Sequence, residues 1–225
     1  MILEELRIHV LQTALLLPKY GLVWMAGGTV CARDPQSGYV VVTPSGLNYE
    51  RLTPDDMIVT DMEMNLVEGK YRPSVALNLW IAFMRERPEL NAVVHTHSPY
   101  ATAFSVVYEA IPVITETMAD WFGQPVPVTR YLSVEDPEFS TLPVEVMGEG
   151  YSVLLGNHGP ITVGKTLEHA VERAVTLEEA ARTYSIAKTI GVPLALTGQQ
   201  AQASFDYYHN RYGQKKSQES QGAEI

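Results

Sequence analysis

The apolar positions of the chain follow two rhythms in turn. From Ile2 to Leu17, Leu3, Leu6, Val10, Ala14 and Leu17 recur at helical spacing on one stripe, and Pro18 marks the end of that helix. The stretch Gly27-Gly28-Thr29-Val30-Cys31-Ala32-Arg33 leads through the turn signal Asp34-Pro35-Gln36-Ser37-Gly38 into Tyr39 to Thr43. That is a β-hairpin, and Pro44-Ser45-Gly46 ends its second strand. Thr53-Pro54-Asp55-Asp56 is a cap-like turn before a short strand from Met57 to Thr60, and Asp61 to Lys70 reads as a turn with a short extended piece. Pro73 predicts the first position of a helix to about Arg87, because its missing amide proton costs nothing there, and Pro88 marks the exit.

A buried strand follows over Asn91 to Val94, and Ser98-Pro99 opens a short helix through Val107. Ile111 to Val128, broken by Pro112, Pro125 and Pro127, suits short strands and loops, while Thr129 to Met147 has no clear period. Tyr151 to Leu155 and Ile161 to Val163 read as strands flanking a Gly-Asn-His-Gly turn. Thr166 caps a long helix to about Ile190, with Glu168 and Glu172 where the helix dipole favours them. A last helix runs from about Gln199 to Tyr212 before a polar tail. With no internal repeat and no linker-like stretch, one domain over residues 1–214 and a disordered tail over 215–225 is the expectation. Strands and helices in this order suggest an α/β sandwich.

Charge and cysteine content narrow the function. A net charge of −10 argues against nucleic acid as a partner, although a local pocket could hold a small anion. Cys31 is the only cysteine, so no disulfide forms within the chain and a reducing cytoplasm fits. The N-terminus lacks the blocks of a signal peptide, and no apolar run reaches membrane-spanning length.

The chemistry gathers around His95-Thr96-His97. On a strand these two side chains share a face, roughly 6–7 Å apart along the backbone, so they can close on one divalent ion if a third ligand comes from elsewhere. His158, between Gly156 and Gly159 where the backbone can turn sharply, is placed to be that ligand. Spacing alone leaves a metal site and a pair of structural histidines both open. Gly27-Gly28-Thr29 and Pro44-Ser45-Gly46 are small-residue turns whose amides could cradle an anion, and Pro73-Ser74 adds a hydroxyl at the expected helix start. Lys165 and Arg130 are either charge partners for it or solvated side chains. Tyr207, Tyr208, His209 and Tyr212 make the last helix aromatic, which suits packing or subunit contact.

Gly27-Gly28, Thr43-Pro44-Ser45-Gly46, Leu52-Thr53-Pro54-Asp55-Asp56, Arg72-Pro73-Ser74, Ala92 to Ser98 and Gly156 to Gly159, in that order, resemble the class II aldolase and epimerase family, from Leu6 to Gln214. That family includes L-fuculose-phosphate aldolase, L-ribulose-5-phosphate 4-epimerase and the adducin head. Thr117 to Phe122 resembles the epimerase segment with a catalytic aspartate, here Asp120, and Arg211-Tyr212-Gly213-Gln214 resembles its C-terminal motif, here Tyr212. The resemblance implies a three-layer αβα fold around a mixed, largely antiparallel sheet, and a homotetramer with active sites between subunits. It implies a divalent metal, zinc before manganese or cobalt, on His95, His97 and His158. Its substrate would be a phosphorylated sugar held by Gly28, Thr29, Ser45, Gly46 and Ser74, with Asp120 and Tyr212 as the acid/base pair of an epimerase. Reference pKa values for those two groups lie about six units apart, so their surroundings must bring them closer.

Four departures from the family pattern bear on the chemistry. Ala76 stands where the family places a carboxylate near the metal, which weakens an aldolase mechanism more than an epimerase mechanism, and Glu63, Glu116 or water are the possible substitutes. In the anion pocket Thr29 replaces asparagine, while Cys31 and Val75 replace serines, so a substrate with a carboxylate tail is an option beside a phosphate. The alternatives to an epimerase are a class II aldolase on a fuculose-phosphate-like substrate and a non-catalytic assembly module like the adducin head.

Overall fold

The computed structural model describes residues 1–213; the tail expected over 215–225 and Gln214 lie outside the described residues. Seven strands form one sheet: β1 (Thr29–Arg33), β2 (Val40–Val42), β3 (Ile58–Thr60), β4 (Leu66–Glu68), β5 (Ala92–His95), β6 (Ser152–Leu155) and β7 (Gly159–Gly164). Their order is β4-β3-β2-β1-β5-β7-β6. Each neighbouring pair is antiparallel. The sheet was expected to be mixed and largely antiparallel; the one parallel pairing among the described residues is an isolated bridge between Val128 and Leu154.

Helices cover both faces, which explains why the strands are apolar runs rather than alternating ones. Val30, Ala32, Val41, Val59, Ala92 and Val94 pack in one cluster with α1 (Glu4–Lys19) and the first half of α6 (Leu167–Ile190). The alternate residues Cys31, Val40, Val42, Ile58 and Val93 pack on the other side against α2 (Leu77–Glu86) and α5 (Leu142–Met147). A third cluster joins α3 (Pro99–Val107), α4 (Glu116–Phe122) and α7 (Gly198–Arg211) to the remainder of α6. The layers are α, β and α.

Local chemistry moved some boundaries. Pro73 pairs in an isolated bridge with Pro44 instead of starting α2, which begins at Leu77 with Ala76 as its cap residue. Ser74 therefore lies before the helix rather than in its first turn. Pro18 sits inside the last turn of α1, and the helix runs one residue further. Helix α4 lies where short strands and loops were expected; Thr115 caps it by accepting from the Met118 amide at 3.2 Å, and Gly123 ends it. Helix α5 occupies the stretch that showed no period.

Candidate metal centre

Strand β5 sits in the middle of the sheet, paired with β1 on one side and β7 on the other, and its last residue is His95. The strand stops there, so His97 belongs to the following loop, fixed by its amide donating to the Leu22 carbonyl at 3.1 Å. His158 comes from the tight turn between β6 and β7. Glycine at 159 is required: a Cβ there would lie 2.4 Å from the Thr96 carbonyl oxygen.

These three loci bring His95 Nε2 within 3.1 Å of His97 Nε2 and 3.3 Å of His158 Nε2. One ligand atom from each residue falls within 4.8 Å of the others. The Nδ1 of His95 donates to the Pro160 carbonyl at 3.0 Å, which fixes the tautomer and leaves its Nε2 lone pair aimed at the other two rings. Burial pushes His158 down to about 4, with His97 adding to the effect. Burial also lowers His97, and burial together with His158 and His97 holds His95 well below the ordinary histidine range. Three neutral imidazoles with lone pairs converging on one point are the donor set of a catalytic divalent metal. The residues fit the ion that the family pattern implies.

The triad opens into a cavity of about 560 Å³, and Gly28, Thr29, Ser45, Gly46 and Ser74 all line it. Gly28 is irreplaceable, since a Cβ would meet Val23 at 2.7 Å and the His95 carbonyl oxygen at 2.8 Å. The Ser74 hydroxyl oxygen accepts from Trp80 Nε1 at 3.2 Å and lies 3.2 Å from the Thr29 hydroxyl. If Ser74 donates to Thr29, the Thr29 proton is left for a ligand. The cradle thus offers amides and hydroxyls without a lysine or arginine.

Other expected residues lie elsewhere. Asp120, on α4, accepts from Ser204 Oγ of α7 at 2.7 Å, and Tyr212, at the end of α7, stacks on Tyr208 with centroids 5.0 Å apart. The structure brings α4 and α7 together, but neither Asp120 nor Tyr212 lines the cavity of its own chain. Tyr208 packs near Trp121 of α4, centroids 5.3 Å apart. Arg130 is committed to Asp136 at 2.9 Å and to Glu138, and Lys165 does not reach the cavity. Cys31 faces the core on the α2 side, where burial raises its thiol pKa, so the serine-to-cysteine departure takes nothing from the pocket. Ala76 and Val75 do line it, whereas Glu63, paired with Arg85 at 3.6 Å, and Glu116 do not.

Several contributors had no sequence signal strong enough to find them. Trp80 stacks obliquely on His95, centroids 5.5 Å apart, besides holding Ser74. Tyr131, Leu132, Ser133, Val134 and Phe139, from the stretch without a period, wall the cavity. Asn157, with φ 55, also lines it, and the Tyr108 hydroxyl donates to its Oδ1. An asparagine between Gly156 and His158 was the available signal, because asparagine tolerates the left-handed region. Buried Glu178 of α6 accepts from the amides of Tyr100 and Ala101, both at 2.9 Å, and so anchors the start of α3 just after His97.

Comparison with known proteins gives one family and a consistent set of relatives. Residues 8–185 match the Class II Aldolase and Adducin N-terminal domain family. The chain is 39% identical over 203 residues to L-ribulose-5-phosphate 4-epimerase UlaF of Salmonella paratyphi B, covering 85% of this chain and 89% of that protein. It is 40% identical over 199 residues to the protein of the same name from Salmonella typhi, covering 84% and 87%. An L-fuculose 1-phosphate aldolase structure superposes with a TM-score of 0.87 over 91% of this chain and 96% of that one; at 24% identity this likeness concerns the fold. An L-fuculose-1-phosphate aldolase from Thermus thermophilus is 27% identical, with a TM-score of 0.70 over 84% and 98% of the two chains.

Proposed function

The chain belongs to the class II aldolase and adducin N-terminal domain family, and from that premise we propose that it is a metal-dependent sugar-phosphate epimerase. The observation that carries the reading is the convergence of three neutral histidine nitrogens beside a cradle of amides and hydroxyls in one cavity. Relatives named L-ribulose-5-phosphate 4-epimerase, at 39% and 40% identity over most of both chains, support the epimerase branch.

His95, His97 and His158 would hold the ion, and zinc suits three imidazole nitrogens best, with manganese or cobalt as substitutes. Bound there, a divalent ion supplies Lewis-acid stabilisation of negative charge on substrate oxygen. The amides of Gly28 and Gly46 and the hydroxyls of Thr29, Ser45 and Ser74 orient the phosphate end. A carbon–carbon bond beside the carbonyl opens and is rejoined on the other face of the aldehyde fragment. Asp120 and Tyr212 move the hydroxyl proton, one on each side. Because neither lines the cavity of its own chain, the reading places the active site between subunits of a cytoplasmic homotetramer, with Tyr212 reaching a neighbouring copy's cavity.

Incubation of the metal-loaded protein with L-ribulose 5-phosphate, followed by NMR, tests this. D-xylulose 5-phosphate should form, and Asp120→Asn should abolish it. An aldolase is the second reading, favoured by the Thermus thermophilus structure at 27% identity. Release of lactaldehyde and dihydroxyacetone phosphate from L-fuculose 1-phosphate would establish it instead. No product from either sugar would overturn both.

A further inference from the structure

The part of the cavity that one chain builds around the triad is bare of charge; on the reading above, Asp120 meets the substrate from a neighbouring copy, beyond the metal end. Among the described residues that line this part there is no aspartate, glutamate, lysine or arginine. The three imidazoles bring lone pairs without charge, and Trp80, Leu132 and Phe139 form a largely apolar wall. Ala76, buried at the cap of α2, contributes a methyl group to this lining, and its amide approaches Ser74 Oγ at 3.4 Å. A divalent ion on neutral donors keeps its whole double charge. In a partly desolvated cavity that charge attracts an anion far more strongly than it would in water.

We propose that this chain leaves the compensating negative charge to its ligand, so that the site takes 2-hydroxy and 2-oxo carboxylates, the chelating ends of sugar acids, in preference to neutral hydroxyketones of the same size. The inference rests on the metal reading above and adds a ligand class to it. A ketose phosphate can still react there, while an acid holds the site more tightly. Ala76 is the residue that sets the preference, since a carboxylate placed at that point of the wall would supply the charge from the protein and repel the acid.

The test uses the full-length protein loaded with cobalt(II), whose visible bands report ligand entry without any turnover. L-Lactate and hydroxyacetone, both three-carbon chelators, are titrated into the wild-type protein and into Ala76→Glu and Ala76→Gln. Lactate should bind more tightly than hydroxyacetone in the wild type. The ratio of the two Kd values should shrink by about tenfold in Ala76→Glu relative to Ala76→Gln, because the two differ in charge and hardly in size. Ala76→Asp and Ala76→Asn form a smaller pair with the same expectation, should the longer side chains disturb folding. Equal ratios in the charged and neutral variants, or wild-type protein that binds hydroxyacetone as tightly as lactate, would overturn the proposal. Absence of the cobalt bands in wild-type protein is a different failure: it removes the metal reading itself, and the ligand preference with it.

Discussion

Tyr49 never touches the cavity, yet it shapes the wall that a ligand meets. Its buried hydroxyl donates to the Gly28 carbonyl at 2.5 Å, and burial pushes that phenol up to about 12, so it remains a donor throughout the neutral range. Tyr49→Phe should cost about 1 kcal/mol in thermal or denaturant unfolding, the usual net worth of one buried hydrogen bond. It should also raise KM for the phosphorylated substrate more than it lowers kcat, since Gly28 belongs to the cradle. An unchanged KM would mean that the Gly27-Gly28-Thr29 turn holds its shape without it. At this scale the sequence was readable where a role is local. His-x-His, Gly-Asn-His-Gly and the small-residue turns carry their geometry within a few residues. Tyr49, Trp80 and Glu178 were not readable, because each acts on a residue distant in the chain, such as Glu178 on Tyr100 and Ala101.

Helix α3 depends on a contact of this kind for its place. Its first amides donate to a buried carboxylate from another helix, where negative charge meets the positive end of the helix dipole. Glu178→Gln removes that charge and leaves one amide facing an NH₂ group. The expected loss is roughly 1.5–3 kcal/mol of stability, the range for hydrogen bonds to a charged group. Because His97 lies two residues before Pro99, metal affinity should weaken as well, measurable by competition with a chelator. Loss of stability with unchanged metal affinity would separate α3 from the site. Helix α4 gives a simpler case: Thr115→Ala deletes its cap and should cost about 1 kcal/mol in unfolding. The long helices and the central strands were legible from period and caps. Helix α4 was legible in principle, from Thr115 and Gly123 bracketing a stretch that holds Met118, Ala119 and Phe122, but the prolines on either side suggested loops. Pro73 misled for the opposite reason: a proline is equally at home in an edge pairing, and the bridge to Pro44 claimed it.

At the scale of the whole molecule, the proposed reading makes activity depend on assembly, because Asp120 and Tyr212 stand apart from the triad's cavity. Large apolar side chains at Trp24, Met25, Ile190, Val192 and Leu194 are between 69% and 89% exposed on the single chain, a surface suited to burial between copies. Light scattering should give a tetramer of about 100 kDa, four times the 24.9 kDa chain. His97→Ala and Tyr212→Phe should each be inactive alone and recover part of the epimerase activity after subunit exchange, because mixed tetramers contain sites with both groups intact. A lack of recovery would mean that Tyr212 does not act in a neighbouring copy's cavity. The αβα architecture and a largely antiparallel sheet followed from the family resemblance of the motifs, whereas the strand order emerged only from the structure. The proposed chemistry and the ligand preference both rest on the three histidines holding an ion. The most direct test is elemental analysis of protein purified without added metal, beside His95→Ala and His158→Ala. One divalent ion per wild-type chain is expected, with strong loss in both variants. Folded wild-type protein that carries no ion, and takes none up on addition, would contradict the proposed metal site.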